Sequence, residues 1–135
     1  MDFGLTEEQQ AIQDTARKFA REKIAPDFQK REETGVIERD LVKEMGTLGL
    51  VAGDLPEAYG GLGINGVTAG LIMEEVSYAD LNVSYIQLLN TLNGRIIVDH
   101  ARPEVAQAWA PKIVAGDMVI ALGPVSYTHL TLPTN

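Results

Sequence analysis

The chain contains no cysteine, which excludes disulfides, thiolate zinc sites, iron-sulfur clusters and cysteine nucleophiles together. Basic side chains are scarce: 11 Lys and Arg stand against 19 Asp and Glu, a formal net charge of −8. A surface of that sign repels a phosphate backbone, so nucleic acid is excluded as a partner. Long apolar runs are missing as well. Met118 to Leu122 is the longest, far short of the roughly 18 residues that span a bilayer. The opening Met1-Asp2-Phe3-Gly4-Leu5 lacks the basic cap and apolar run of a signal peptide and the arginines of a transit sequence, which points to the cytoplasm. What is present is 135 residues of 45% hydrophobic composition, enough to bury roughly two-thirds of the unfolded surface in one core.

Thr6-Glu7-Glu8-Gln9 has the pattern of a capping box, with both glutamates at the positive end of the helix dipole. Behind it Ile12, Ala16, Phe19, Ala20 and Ile24 recur at helical spacing. Pro26 kinks or ends that helix. A second, short helix is predicted from Glu38 to about Leu48, with Leu41, Val42, Met45 and Leu48 inward and Gly49 as its stop. Eight of the 13 glycines fall between Gly46 and Gly70, and 54–63 reads as an ordered loop with a short turn.

Helix resumes from about Gly66 to near Asp80, with Val67, Leu71, Met73 and Val76 as packing residues. No lysine or arginine occurs between Glu44 and Gly94, so these helices lack the cationic stems that cover a solvated face and read as central. Leu81 to Leu89 and Leu92 to His100 read as two helices divided by Asn90-Thr91, whose side chains compete for backbone hydrogen bonds. Arg102-Pro103-Glu104 starts another, with Val105, Ala108 and Trp109 buried and Pro111 as an interruption. Met118 to Leu122 reads as a buried strand. The fold class is all-α, with one strand at the C-terminal end.

Several groups invite a chemical reading. Gly61-Leu62-Gly63-Ile64-Asn65-Gly66 matches G-x-G-x-x-G, with Asp80 downstream at about the spacing of a ribose contact. A dinucleotide site needs a strand before the first glycine, and Pro56-Glu57-Ala58-Tyr59 stands there instead, so the match reads as a structural turn. Glu74 and Glu75 point about 100° apart on a helix and share no proton. His100 sits at a helix end with no second histidine near it, which disfavours a metal. Tyr59, Tyr78, Tyr85 and Trp109 read as core or loop anchors. His129 is given no role. No metal ligand set and no catalytic residue emerges.

Five ordered segments carry a resemblance: Leu5-Thr6-Glu7-Glu8-Gln9, then Gly46-Thr47-Leu48-Gly49-Leu50, then Pro56-Glu57-Ala58-Tyr59-Gly60-Gly61-Leu62-Gly63, then Glu74-Glu75-Val76, and Pro111-Lys112-Ile113-Val114-Ala115-Gly116-Asp117 before Val119-Ile120-Ala121-Leu122. Over Met1 to about Gly123 the chain resembles the N-terminal helical domain of acyl-CoA dehydrogenases. The resemblance implies residues 1–117 as that domain and 118–123 as the start of a middle β domain. It implies FAD, an acyl-CoA substrate, an electron-transferring flavoprotein as acceptor and a homo-oligomer. By order along the chain it implies Gln87, Leu88, Leu89, Asn90 and Thr91 as a turn lining the acyl pocket, and Leu122 as the position against the flavin.

Where the family continues into a threonine-glutamate-proline motif, this chain has Pro124 to Asn135, and the family's catalytic glutamate is absent too. The 135 residues alone are therefore expected to be inactive. Val125 to Thr134 resembles the translation of a transposon-type sequencing adaptor, so 124–135 is expected to be non-native. Codons from Val125 would then read GTC-TCT-TAT-ACA-CAT-CTG, and recovery of the same tail from intact genomic DNA would contradict this. Two rivals stand beside the dehydrogenase reading: a small acidic helical protein-binding module, and a related flavoprotein oxidase or monooxygenase.

Overall fold

Six α-helices form in the computed structural model, which describes residues 4–123; the expectation about 124–135 lies outside them. α1 (Glu7–Phe19) opens on the capping box, with the Gln9 N–H donating to Thr6 Oγ1 at 3.2 Å and the Thr6 N–H donating to Gln9 Oε1 at 3.0 Å. Pro26 acts as a kink and not as an end. The helix first widens into a π turn over Ala20–Ile24, tightens to a 3-10 turn over Ala25–Asp27, and resumes as α2 (Phe28–Thr34). Such a change of pitch lets the chain pass a residue without an N–H.

α3 (Arg39–Thr47) buries Leu41, Val42 and Met45 as the spacing predicts. Leu48 departs from that expectation and is exposed. The Leu50 N–H bonds to the Met45 carbonyl at 2.9 Å and the Gly49 N–H to the Gly46 carbonyl at 3.0 Å. This paired closure, with Gly49 at φ 70°, swings Leu48 out of the stripe and brings Leu50 in.

The glycine-rich loop is ordered by its own backbone. Leu62 N–H bonds to Gly53 O at 2.9 Å and Gly63 N–H to Leu55 O at 3.0 Å, around a 3-10 turn at Glu57–Tyr59. A Cβ on Gly61 would stand 1.9 Å from Leu55 O, so only glycine allows this approach.

α4 (Gly66–Ala79) is capped by Asn65 and buries Thr68, Ile72 and Val76. Val67 is exposed, with Leu71 and Met73 half-buried. α5 (Leu81–His100) runs unbroken through Asn90-Thr91, contrary to the expected division. α6 (Pro103–Val114) continues through Pro111 and buries Ala106, Ala110, Ile113 and Val114; Ala108 and Trp109 face out. The carbonyl that Pro111 leaves unpartnered belongs to exposed Gln107, where water can serve it.

α1 packs on α4, α4 on α5 and α5 on α6, around fully buried Ile24, Met45, Leu50, Leu55, Ile72 and Ile113. Met118 to Gly123 forms no strand among the described residues. A strand is defined by its partner's ladder, and no ladder is formed with this segment among the described residues.

Candidate functional site

α5 is the element on which most of the candidate residues sit, and its start is fixed by a buried ion pair. Asp80 Oδ1 accepts from the N–H groups of Asn82 at 2.9 Å and Val83 at 3.4 Å, capping the helix, while Oδ2 takes the Arg31 Nε donor at 2.7 Å. Both side chains are buried, Arg31 at 4% and Asp80 at 1% exposure. Arg31 Nη2 also donates to the Ile24 carbonyl at the end of the π turn. One guanidinium thus ties the kink of the first helix to the start of the fifth. Sequence reading missed this pair: Asp80 carries a recognisable cap signal before Leu81-Asn82-Val83, but nothing local marks Arg31 as its partner 49 positions away.

Farther along, α5 presents a polar buried row: Ser84, Gln87, Asn90 and Asn93. Asn90, at 0% exposure, spends its carboxamide on the segment after α6. Its Nδ2 donates to Met118 O at 2.9 Å, with Ile113 O at 3.5 Å, and its Oδ1 accepts from the Ile120 N–H at 3.1 Å. Thr91 Oγ1 donates to Val51 O at 3.3 Å. Two buried amide atoms, Gln87 Oε1 and Asn93 Nδ2, have no protein partner among the described residues.

The expected pocket residues do not form a turn, and they do not share one face. Gln87 and Asn90 are buried, Leu89 and Thr91 half-buried, and Leu88 points out with 41% exposure. The backbone stays helical because Asn90 and Thr91 find partners across the fold and so do not compete with their own helix. Leu122 lies two residues past the Asn90 contacts and is 46% exposed. A groove of about 380 Å³ lies elsewhere, lined by Thr15, Lys18, Phe19, Glu22, Lys23 and Leu48.

The outer face of α5 is apolar. Leu81, Tyr85, Leu88, Leu92 and Ile96 are all exposed and recur every three or four positions along one stripe. The helices of the basic-free stretch, α4 and α5, stand in the middle of the packing order, between α1 and α6, while α5 keeps one apolar face exposed among the described residues. Tyr78, Tyr85 and Trp109 are likewise exposed, against their expected anchoring roles.

The remaining candidates resolve structurally. The G-x-G-x-x-G segment follows the 3-10 turn, and Asn65 Oδ1 accepts the Thr68 N–H at 3.0 Å, occupying the helix terminus that a pyrophosphate would use. Glu75 holds Arg17 through two contacts, Nη2 to Oε1 at 2.7 Å and Nε to Oε2 at 3.2 Å. That hydrogen bonding and charge raise the Arg17 pKa above its ordinary value. Glu38 has its carboxyl held below the usual range by its own backbone N–H and by Lys30. Glu74 and His100 are exposed. No group of three or more His, Asp or Glu that could hold a metal occurs among the described residues. No helix there is long and apolar enough to cross a membrane.

Residues 6–117 match the family model of the acyl-CoA dehydrogenase N-terminal domain. A probable acyl-CoA dehydrogenase of Bacillus subtilis, YngJ, is 39% identical over 79 residues, covering 58% of this chain and 21% of the relative. A chain solved in work on the electron transferring flavoprotein of Acidaminococcus fermentans superposes with TM-score 0.82 at 32% identity, covering 88% of this chain and 32% of that one. A glutaryl-CoA dehydrogenase of Mycobacterium smegmatis, crystallised with FADH2, gives TM-score 0.81 at 26% identity, covering 85% and 30%. The chain thus spans about a fifth to a third of the length of the proteins it matches.

Proposed function

Because the chain belongs to the acyl-CoA dehydrogenase family, as its N-terminal helical domain, we propose that it serves as that domain in an FAD-dependent enzyme that introduces an α,β double bond into an acyl-CoA thioester. The observation that carries this reading is the match across 6–117 together with the shared fold. In the same reading an electron-transferring flavoprotein accepts the electrons, and the full-length enzyme is a cytoplasmic homo-oligomer.

The residues fit FAD only in part. Leu122, half out of the fold, offers an apolar contact for a ring, and 118–123 leads toward a middle β domain. The described residues hold no pyrophosphate cradle, since the α4 terminus is closed by Asn65. FAD, when bound in such an enzyme, accepts the β-hydride of the thioester. The chain's own share is a wall: Leu89, Gln87 with its unpartnered Oε1, and Thr91 beside the acyl group. No base stands among these residues, so the 135 residues alone are expected not to oxidise acyl-CoA.

A second reading, a helical protein-binding module, is favoured by the apolar stripe on α5. In the family reading the remainder of a full-length enzyme covers that stripe. The two are separated by a chimera in which residues 6–117 replace the equivalent domain of a glutaryl-CoA dehydrogenase. The expected result is FAD retention and acyl-CoA-dependent reduction of an artificial electron acceptor. A folded, FAD-loaded chimera inactive on short, branched and aromatic acyl-CoA would overturn the proposal.

A further inference from the structure

We infer that Asn90 is a positioning residue whose side chain stands in for a neighbouring β-strand, setting the register in which 118–120 leaves the helical domain. In a parallel ladder one residue donates its N–H to the carbonyl of residue j−1 and accepts, at its own C=O, from the N–H of residue j+1 of the adjacent strand. The Asn90 carboxamide does the same around Val119: Nδ2 donates to Met118 O at 2.9 Å and Oδ1 accepts from the Ile120 N–H at 3.1 Å.

Nothing else in the fold offers this segment a regular partner. Met118 N–H turns back to Lys112 O at 3.2 Å, and the preceding turn is pinned by Arg39 Nη2 on Asp117 O at 2.8 Å. Beyond that N–H, the Met118 carbonyl and the Ile120 N–H both bond to Asn90. The choice of residue follows from its geometry. Leucine at 90 would leave a carbonyl and an N–H half-buried without partners, and aspartate would accept from Ile120 but repel the Met118 carbonyl. Glutamine would place the amide one carbon too far from the helix axis.

The consequence for binding is that Asn90, with both Nδ2 protons and one Oδ1 lone pair engaged and 0% of its surface exposed, does not present its carboxamide to a ligand. It belongs to the pocket only through the segment it aims, and Leu122 follows two residues after the last clasped amide. That last step rests on the proposed flavin contact of Leu122; the clasp itself does not.

The test is amide hydrogen exchange by NMR on the whole 135-residue chain. Ile120 should be protected relative to Ala121 and Leu122. In Asn90→Leu its protection should fall about tenfold, roughly the effect of one net hydrogen bond, while Val83 and Gly94 in α5 change less than about twofold. Asn90→Asp should restore part of the Ile120 protection, a rescue that packing alone would not give. Unchanged Ile120 exchange in Asn90→Leu, or an equal loss across α5, overturns the inference. If that variant does not fold, the wild-type carboxamide decides: Asn90 Nδ2 protons should exchange more slowly than those of Asn93, which is also buried but has no partner for its Nδ2 among the described residues, and equal rates refute the clasp. Exchange reads the clasp alone, so loss of FAD in the chimera would count against the functional reading and leave this one standing.

Discussion

The two ends of α5 solve the problem of buried polarity differently. At its start the charges are closed within the chain: Asp80 caps the helix and pairs Arg31, which in turn holds the Ile24 carbonyl. In its middle, amides and not charges are buried. There Asn90 engages both ends of its carboxamide, while Gln87 Oε1 and Asn93 Nδ2 have no partner among the described residues and Leu88 and Leu92 on the opposite face are exposed. An ion pair must be satisfied by the fold itself, because an unpaired buried charge is too costly. A neutral amide tolerates an open bond at a cost of only about 1–3 kcal/mol, and so can wait for a ligand, a water or another domain.

That contrast can be broken most forcefully at Asp80. Asp80→Ala removes the cap and leaves the buried Arg31 charge with only the longer Glu38 carboxylate contact at 3.6 Å, and should lower the stability to urea by about 3 kcal/mol, the low end for a broken buried pair. Asp80→Asn, which keeps an acceptor for the helix N–H groups, should lose clearly less; an equal loss would place the whole effect in the ion pair. A smaller effect is expected at the rim of the same region. Glu75→Gln weakens a pair in which Arg17 is 36% exposed, so the loss in thermal unfolding should be about 1 kcal/mol or less.

The middle of α5 should respond in the opposite sense. Leu88→Gln with Leu92→Gln changes an exposed stripe, so stability should move by no more than about 0.5 kcal/mol, while self-association in sedimentation or light scattering decreases. A stability loss as large as that of Asp80→Ala would mean the outer face is core. The smallest effect concerns pH. Glu38 has a lowered folded-state pKa, so its contribution is present above the ordinary carboxylate range and is lost as pH falls through the lowered value. Glu38→Gln should therefore lower stability slightly at neutral pH and leave the most acidic end of the curve unchanged, so that the acid limb is flatter; an unaltered acid limb would show that the carboxyl is not stabilised by folding.

Much of the fold was legible in order along the chain. The Thr6–Gln9 box, the Ala16–Phe19–Ile24 stripe, the Gly49 stop and the ordered loop follow from local rules, because capping, periodicity and positive φ act over a few residues. The family resemblance was legible from short segments spread over 6–117. The errors share one cause. Local rules predict a break at Asn90-Thr91 and a strand at Met118–Leu122, and in each case a partner distant in sequence, or the lack of a ladder among the described residues, decides the outcome. The same holds for facing: hydrophobicity alone predicts Leu48, Val67, Ala108 and Trp109 as packing residues, and all four are exposed, because an apolar side chain does not by itself reveal which side of its helix meets the core.

The sequence by itself determined where most helices begin, where the chain turns on glycine, and to which family it belongs, since these depend on residue type and near neighbours. Only the tertiary structure decided that Arg31 meets Asp80, that α5 runs unbroken, and that Asn90 gives its amide to residues 118 and 120. Those are pairings over tens of residues, and a buried polar group's choice of partner is fixed by which elements pack together and not by its own local propensity.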